Sequence, residues 1–124
     1  MTGRAVATLL RHRPPALLLD AIVAFDGVQL TCSGRGDAWR WAELLEGAAQ
    51  TAGLLAGLQQ QGVDDTAVIA EYRDVRIHGP RHAGPVRFTA HLDRRLLRFW
   101  RCRCEARADD GTLLLRADVT VAPG

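Results

Sequence analysis

The sequence contains no lysine; all sixteen of its basic residues are arginine. That excludes a Schiff-base or lysine general-base mechanism and leaves guanidinium groups as the only permanent cations. An excess of charge of one sign is also missing. The formal net charge of +2 is too small to argue for nucleic acid or a membrane as a partner. The opening "MTGRAVATLLRHRPP" has an apolar stretch too short and too interrupted for a secretory signal or a membrane span. Cysteine is scarce and odd in number, three in all, which fits free thiols in a reducing cytoplasm. Cys102 and Cys104 fall on one face of a strand-like segment. A metal site needs more ligands than that pair, so both read as core thiols, with no metal and no cofactor expected. Histidine is absent from residue 13 to residue 77.

What is present is an ordinary globular composition, 48% apolar and 24% charged over 124 residues, enough for one domain (1–124) with one core. There is no internal repeat, low-complexity tract or linker. "AVATLLRH" (5–12) reads as a short helix stopped by Pro14 and Pro15. "ALLLDAIVAFD" (16–26) and "VQLTC" (28–32) read as a hairpin. The loop "SGRGD" (33–37) ends on Asp37, a candidate N-cap for a long helix over 38–60, with Gly62 as its stop. Strands follow at 66–78, 86–92, 96–108 and from "TLLLRADVTVA" onward. "GPRHAGP" (79–85) reads as a loop, "DRR" and "DDG" as turns. In "LLRFWRCRCEARA" the residues Trp100, Cys102, Cys104 and Ala106 face one way, and Arg101, Arg103, Glu105 and Arg107 the other. In the last strand Leu113, Leu115, Ala117, Val119 and Val121 share a face. One long helix and an antiparallel sheet with one apolar face make an α+β layout in which the sheet curls around the helix.

That helix poses the functional question. Within "WAELLEGAAQTAGLLAG" (41–57), Glu43, Glu46 and Gln50 form a narrow polar stripe on a rod of small and apolar residues. A carboxylate there is costly unless it reaches solvent, pairs with an arginine or does chemistry. The small residues let another backbone come close.

"HRPPALLLDAIVAFDG" (12–27), "LLEGAAQTAGLLAG" (44–57), "VRIHGPRHAGPVRF" (75–88) and "RFWRCRCEARADDGTLLLRADVTV" (98–121) together resemble the beta-hydroxyacyl-acyl-carrier-protein dehydratases. The most specific segment is the Glu-x-x-x-Gln-x-x-Gly helix. A dehydratase-like branch from aryl-polyene and related pigment clusters is similar in more detail. It opens on His-x-x-Pro-x-Leu-Leu-Leu-Asp, as His12 to Asp20 do here, and carries a Trp before the helix Glu, as Trp39 and Trp41 do. The resemblance implies a hot-dog fold and a homodimer, or a heterodimer with a second hot-dog subunit. It also implies action in the cytoplasm on a thioester delivered on phosphopantetheine by an acidic acyl carrier protein.

Dehydration needs a base for the alpha proton and an acid for the leaving hydroxyl. By resemblance Glu46 is the helix carboxylate. The loop histidine of the family has no counterpart, and its position falls at Cys32. His12 is the substitute the resemblance offers, with a thiol as another. Gln50, Trp39 and Trp41 are expected to line the pocket with Cys32. Arg76 and Arg81, with Arg73, are expected to meet phosphate or the carrier surface. His78 and His82 flank a loop in a spacing that defines no face, and His91 reads as an exposed strand residue. Two other readings stay open. One is a thioesterase that uses the helix carboxylate with water and helix N-terminal amides. The other is a catalytically inactive partner subunit.

Overall fold

A computed structural model describes residues 17–59 and 68–122. His12, the helix expected over 5–12 and the stop expected at Gly62 lie outside the described residues. The elements in chain order are β1 (Leu19–Phe25), β2 (Gln29–Gly34), β3 (Ala38–Arg40), α1 (Trp41–Gln59), β4 (Val68–Ile77), β5 (Arg81–Ala83), β6 (Val86–Leu96), β7 (Phe99–Ala108) and β8 (Leu113–Ala122). Six strands form one antiparallel sheet in the order β1-β2-β6-β7-β8-β4, and α1 packs on one face of it, mainly against β8, β6 and β7. This is the hot-dog fold, a large antiparallel sheet around one central helix.

The first hairpin is set by its turn chemistry. Asp26 Oδ1 accepts the backbone N–H of Val28 (2.9 Å) and of Gln29 (2.7 Å), while Gly27 takes the left-handed conformation, φ 102°, that a side chain would resist. The same two hydrogen bonds hold the Asp26 carboxyl below the usual carboxylate range. In β7 the expected alternation is realised residue by residue. Trp100, Cys102, Cys104, Ala106 and Ala108 are buried against the helix, and the arginines and Glu105 lie on the outer face.

Five sequence expectations are corrected. The helix begins at Trp41 rather than Ala38, because Ala38–Arg40 pairs with Arg81–Ala83 as a second, two-stranded sheet; the loop expected over 79–85 therefore contains a strand. Asp37 is not the N-cap. Its carbonyl accepts the N–H of Gly84 (2.6 Å), and Arg40 stands at the cap position with its N–H given to Glu43 Oε1 (3.0 Å), half of a capping box. The turn expected at 93–95 lies further on, at Leu97–Arg98, since β6 continues to Leu96 and pairs there with Phe99. In β8 a register shift opposite Ala106 and Arg107 inserts an extra residue. Leu114 is thereby buried and Leu113 only half-buried.

The small residues of α1 serve different neighbours. A Cβ on Gly47 would collide with the ring of Phe88 on β6, so glycine lets the helix sit directly on the sheet. Among the described residues nothing lies within 4 Å of where a Cβ on Gly53 would be.

Candidate functional site

The residues singled out from the sequence fall into three places. The first is the N-terminal end of α1. Here β3 and β5 frame a cavity of about 530 Å³ lined by Ala38, Trp39, Arg40, Glu43, Arg81, His82 and Ala83. The ladder sets Trp39 opposite His82 and Arg40 opposite Arg81, which brings two guanidinium groups to one rim. Trp39 is buried, its ring edge-on to Phe88 (5.4 Å between centroids, 69°), and it lies so close over Gly34 that a Cβ there would come within 2.6 Å of the indole. Its Nε1–H meets no acceptor among the described residues. Trp41, two residues on, is 46% exposed.

The second place is the core beneath. Gln50 is 4% exposed, and its Oε1 accepts the N–H of Leu18 (3.0 Å), which ties the lead-in of β1 to the helix. Cys32 is fully buried on β2. Burial alone pushes its thiol up from 9.0 to about 12, so it stays protonated at neutral pH. The Cys102 thiol is likewise raised to about 12, first by burial and then by the charge of Asp93.

The third place is the flank of α1 that looks toward the sheet edge at β4. Glu46 is exposed here, on the same side of the helix as Ala42 and Gly53, at spacings of four and seven residues. Within reach of its charge is Tyr72, the one tyrosine of the chain, which no motif in the sequence singles out. Tyr72 pairs across the ladder with Val119, and Val119 is wholly buried against the helix. Directly opposed residues share a face, so the Tyr72 ring lies on the helix side of the sheet. It is 39% exposed. Its phenol is pushed above the ordinary value of 10.0, first by burial, next by the negative charge of Glu46 and then by Cys104. The Glu46 carboxylate is thus near enough for its charge to reach the phenol, on a partly open surface. Sequence spacing cannot pair them, because the pairing depends on the β4–β8 register.

β4 carries the rest of this surface. It pairs with β8 on one side, and among the described residues no strand pairs with its other side. Val75 (38% exposed) and Ile77 (44%) lie on it, together with the exposed Arg76, which the register sets opposite Arg116. The strand is bent by an irregularity between Arg73 and Arg76, where Asp74 takes a left-handed φ of 50°. Among the described residues no group of three or more His, Cys, Asp or Glu side chains gathers as a metal site. No helix there is long and apolar enough to cross a membrane.

Comparison with known proteins places the fold. No protein-family model matches the chain, and no curated protein matches it in sequence. Solved structures do. The dehydratase heterocomplex ApeI:P from Xenorhabdus doucetiae superposes with a TM-score of 0.83 at 16% identity, covering 97% of this chain and 91% of that one. A conserved protein from Pseudomonas aeruginosa gives 0.73 at 20% identity, covering 95% and 98%. A thioesterase from Haemophilus influenzae gives 0.70 at 14%, covering 86% and 78%.

Proposed function

We propose that this chain handles an acyl thioester as one half of a paired hot-dog assembly. Its chemistry in this reading is loss of water from a beta-hydroxyacyl group presented by an acyl carrier protein. The observation that carries the proposal is the exposed Glu46 carboxylate on the flank of the central helix, whose negative charge reaches the Tyr72 phenol on the neighbouring strand. In this reading the carboxylate takes the alpha proton of the substrate. The phenol, kept protonated at neutral pH, gives its proton to the beta hydroxyl as the carbon–oxygen bond breaks. A double bond forms and water leaves. Glu46 then gives its proton to water and the Tyr72 oxygen takes one from water, so both groups return to their starting state. Positioned proton transfer of this kind contributes about 10²- to 10⁴-fold. In this reading the two roles are exchanged relative to the resembled family, with Glu46 as the base in place of the absent loop histidine and Tyr72 as the acid; His12 is the alternative partner for Glu46.

The pairing is supported by the unpartnered edge of β4, by its exposed Tyr72, Val75 and Ile77, and by Gly53, over which no described residue lies within 4 Å of a Cβ. A second subunit on that side would cover Glu46 and Tyr72 and exclude water from them. The ApeI:P neighbour is itself described as a dehydratase heterocomplex. Arg40 and Arg81 at the cavity rim, and Arg76 on β4, supply the cations that a phosphate or an acidic carrier surface calls for. Trp39 and Trp41 would flank the acyl entry, with Gln50 and Cys32 shaping it from within.

The likeness to the Haemophilus thioesterase favours a second reading, hydrolysis with Glu46 and water. The first amide of the helix, that of Trp41, is already given to the carbonyl of Pro80 (2.9 Å), so in either reading the charge on the thioester oxygen falls to another donor. The deciding assay uses purified protein, alone and with a candidate second hot-dog subunit, on hydroxyacyl and acyl thioesters. Water loss supports the dehydratase reading and free thiol release the thioesterase. Turnover that appears only with the partner, and survives both Glu46→Gln and Tyr72→Phe in this chain, assigns it the role of an inactive subunit.

A further inference from the structure

The β6–β7 hairpin ends in "RRLLRFWR" (94–101), four arginines and no acid, a local excess that the net charge of the whole chain conceals. Leu96 is 48% exposed, Phe99 41%, and Leu97, at the apex, 96%. Neither the turn nor the core calls for a leucine at that apex. Leu97 holds a left-handed φ of 52°, a conformation that glycine, asparagine and aspartate adopt at much lower cost in a two-residue hairpin turn. The residue is therefore unfavourable twice over, in backbone conformation and in exposed apolar surface, and such a combination points to a use outside the fold.

The charge around the apex is similarly arranged. The two nearby carboxylates are each engaged by an arginine outside the stretch, Glu71 by Arg73 (3.2 Å) and Asp93 by Arg103 (3.5 Å). Among the described residues none of the four arginines of the stretch is in an ion pair. Arg95 lies over the Trp100 ring, 5.2 Å from its centroid, which holds one cation at the base of the apolar tip. Behind the tip is a depression of about 310 Å³, bordered by Leu96, Phe99, Arg101 and the Arg73–Glu71 ion pair, in which Arg101 is the cation without a carboxylate partner.

We propose that this hairpin tip docks on an anionic lipid surface, with Leu97, Leu96 and Phe99 entering the headgroup region and the arginines meeting lipid phosphates. A convex apex with an apolar point and a cationic collar suits a bilayer interface, which needs no complementary shape, better than a protein pocket. The tip lies at the opposite end of β6 and β7 from Val86 and Ala108, where the cavity at the start of α1 opens; ten residues of strand separate the two ends by about 30 Å. Docking would therefore leave that cavity accessible. The proposal stands independently of the acyl-thioester reading.

The test is flotation of the full chain with vesicles of phosphatidylcholine alone or mixed with phosphatidylglycerol, at low and high salt. Binding is expected only to the mixed vesicles and only at low salt. Leu97→Asn, which suits the left-handed turn and so preserves the fold, should weaken it by at least about tenfold. Arg98→Gln should weaken it by about fivefold. Absence of binding, equal binding to neutral vesicles, or unchanged binding by Leu97→Asn overturns the proposal. So does a wild-type protein that ignores vesicles but changes its sedimentation behaviour on Leu97→Asn, since the tip then belongs to a protein contact.

Discussion

β7 and β4 have the same length and lie two places apart in one sheet, yet they behave in opposite ways. β7 has β6 on one side and β8 on the other, and its burial alternates without exception from Trp100 onward. β4 has β8 alone among the described residues, is exposed from Ala70 to Ile77, and shifts register twice, between Ile69 and Glu71 and between Arg73 and Arg76. Where the chain supplies both neighbours, apolar residues fall where the core needs them. Where it supplies one, Tyr72, Val75 and Ile77 remain at the surface, and the proposed chemistry lies beside them.

The sharpest way to test that contrast is at the β4 corner. Glu46→Gln and Tyr72→Phe should each lower dehydration by about 10²- to 10⁴-fold in steady-state assays while leaving the unfolding curve in place. If Tyr72→Phe is as active as the parent, the donor is elsewhere and His12 is next to be changed. On the β7 side of the sheet the large effect is on stability instead. Phe88→Ala removes a ring packed under Gly47 and Trp39 and should cost about 3–5 kcal/mol in urea unfolding.

An intermediate effect separates the strands most directly. Ile77→Arg should change the stability of the isolated chain by under about 0.5 kcal/mol. It should weaken association with a second hot-dog subunit by about tenfold or more in sedimentation, because an unpaired charge would be buried. Equal association would show that β4 is not the contact.

Two smaller effects concern protonation. The thiols of Cys32 and Cys102 titrate near 12 in the folded protein but near 9.0 when unfolded, so between those values the unfolded chain binds fewer protons. Stability should therefore be fully present below about pH 9 and fall as pH rises toward 12, and Cys102→Ala should flatten that fall in urea unfolding curves. The smallest effect is on the single tyrosine, whose ultraviolet titration reports one group. Glu46→Gln should move its midpoint downward, because a negative neighbour is removed. No movement would mean that carboxylate and phenol do not interact.

Much of this architecture is legible in the residue pattern alone. The period of two in 98–108, the turn at Asp26-Gly27 and the helical spacing from Trp41 onward are local patterns, and local patterns survive into the fold. β3 and β5 are not legible in this way, because three residues with prolines and glycines nearby carry no period; only their pairing makes them strands. Asp37 has the residue type of a cap, yet the contact with Gly84 claims its carbonyl. Glu46 is conspicuous as a carboxylate among alanines and glycines, whereas Tyr72 is a lone aromatic in an ordinary strand.

The sequence by itself determined one long small-residue helix, an antiparallel sheet with one apolar face, and a carboxylate placed on that helix. Those features follow from side-chain period and from the cost of burying charge, both of which act between near neighbours in the chain. Only the tertiary structure decided that Cys32 and Gln50 go into the core, that Arg40 and Arg81 share a rim, and that Tyr72 lies on the helix side of the sheet within reach of the Glu46 charge. Each of those depends on strand register, and register is set by packing across the whole sheet, where a shift of one residue would turn Tyr72 away from the helix.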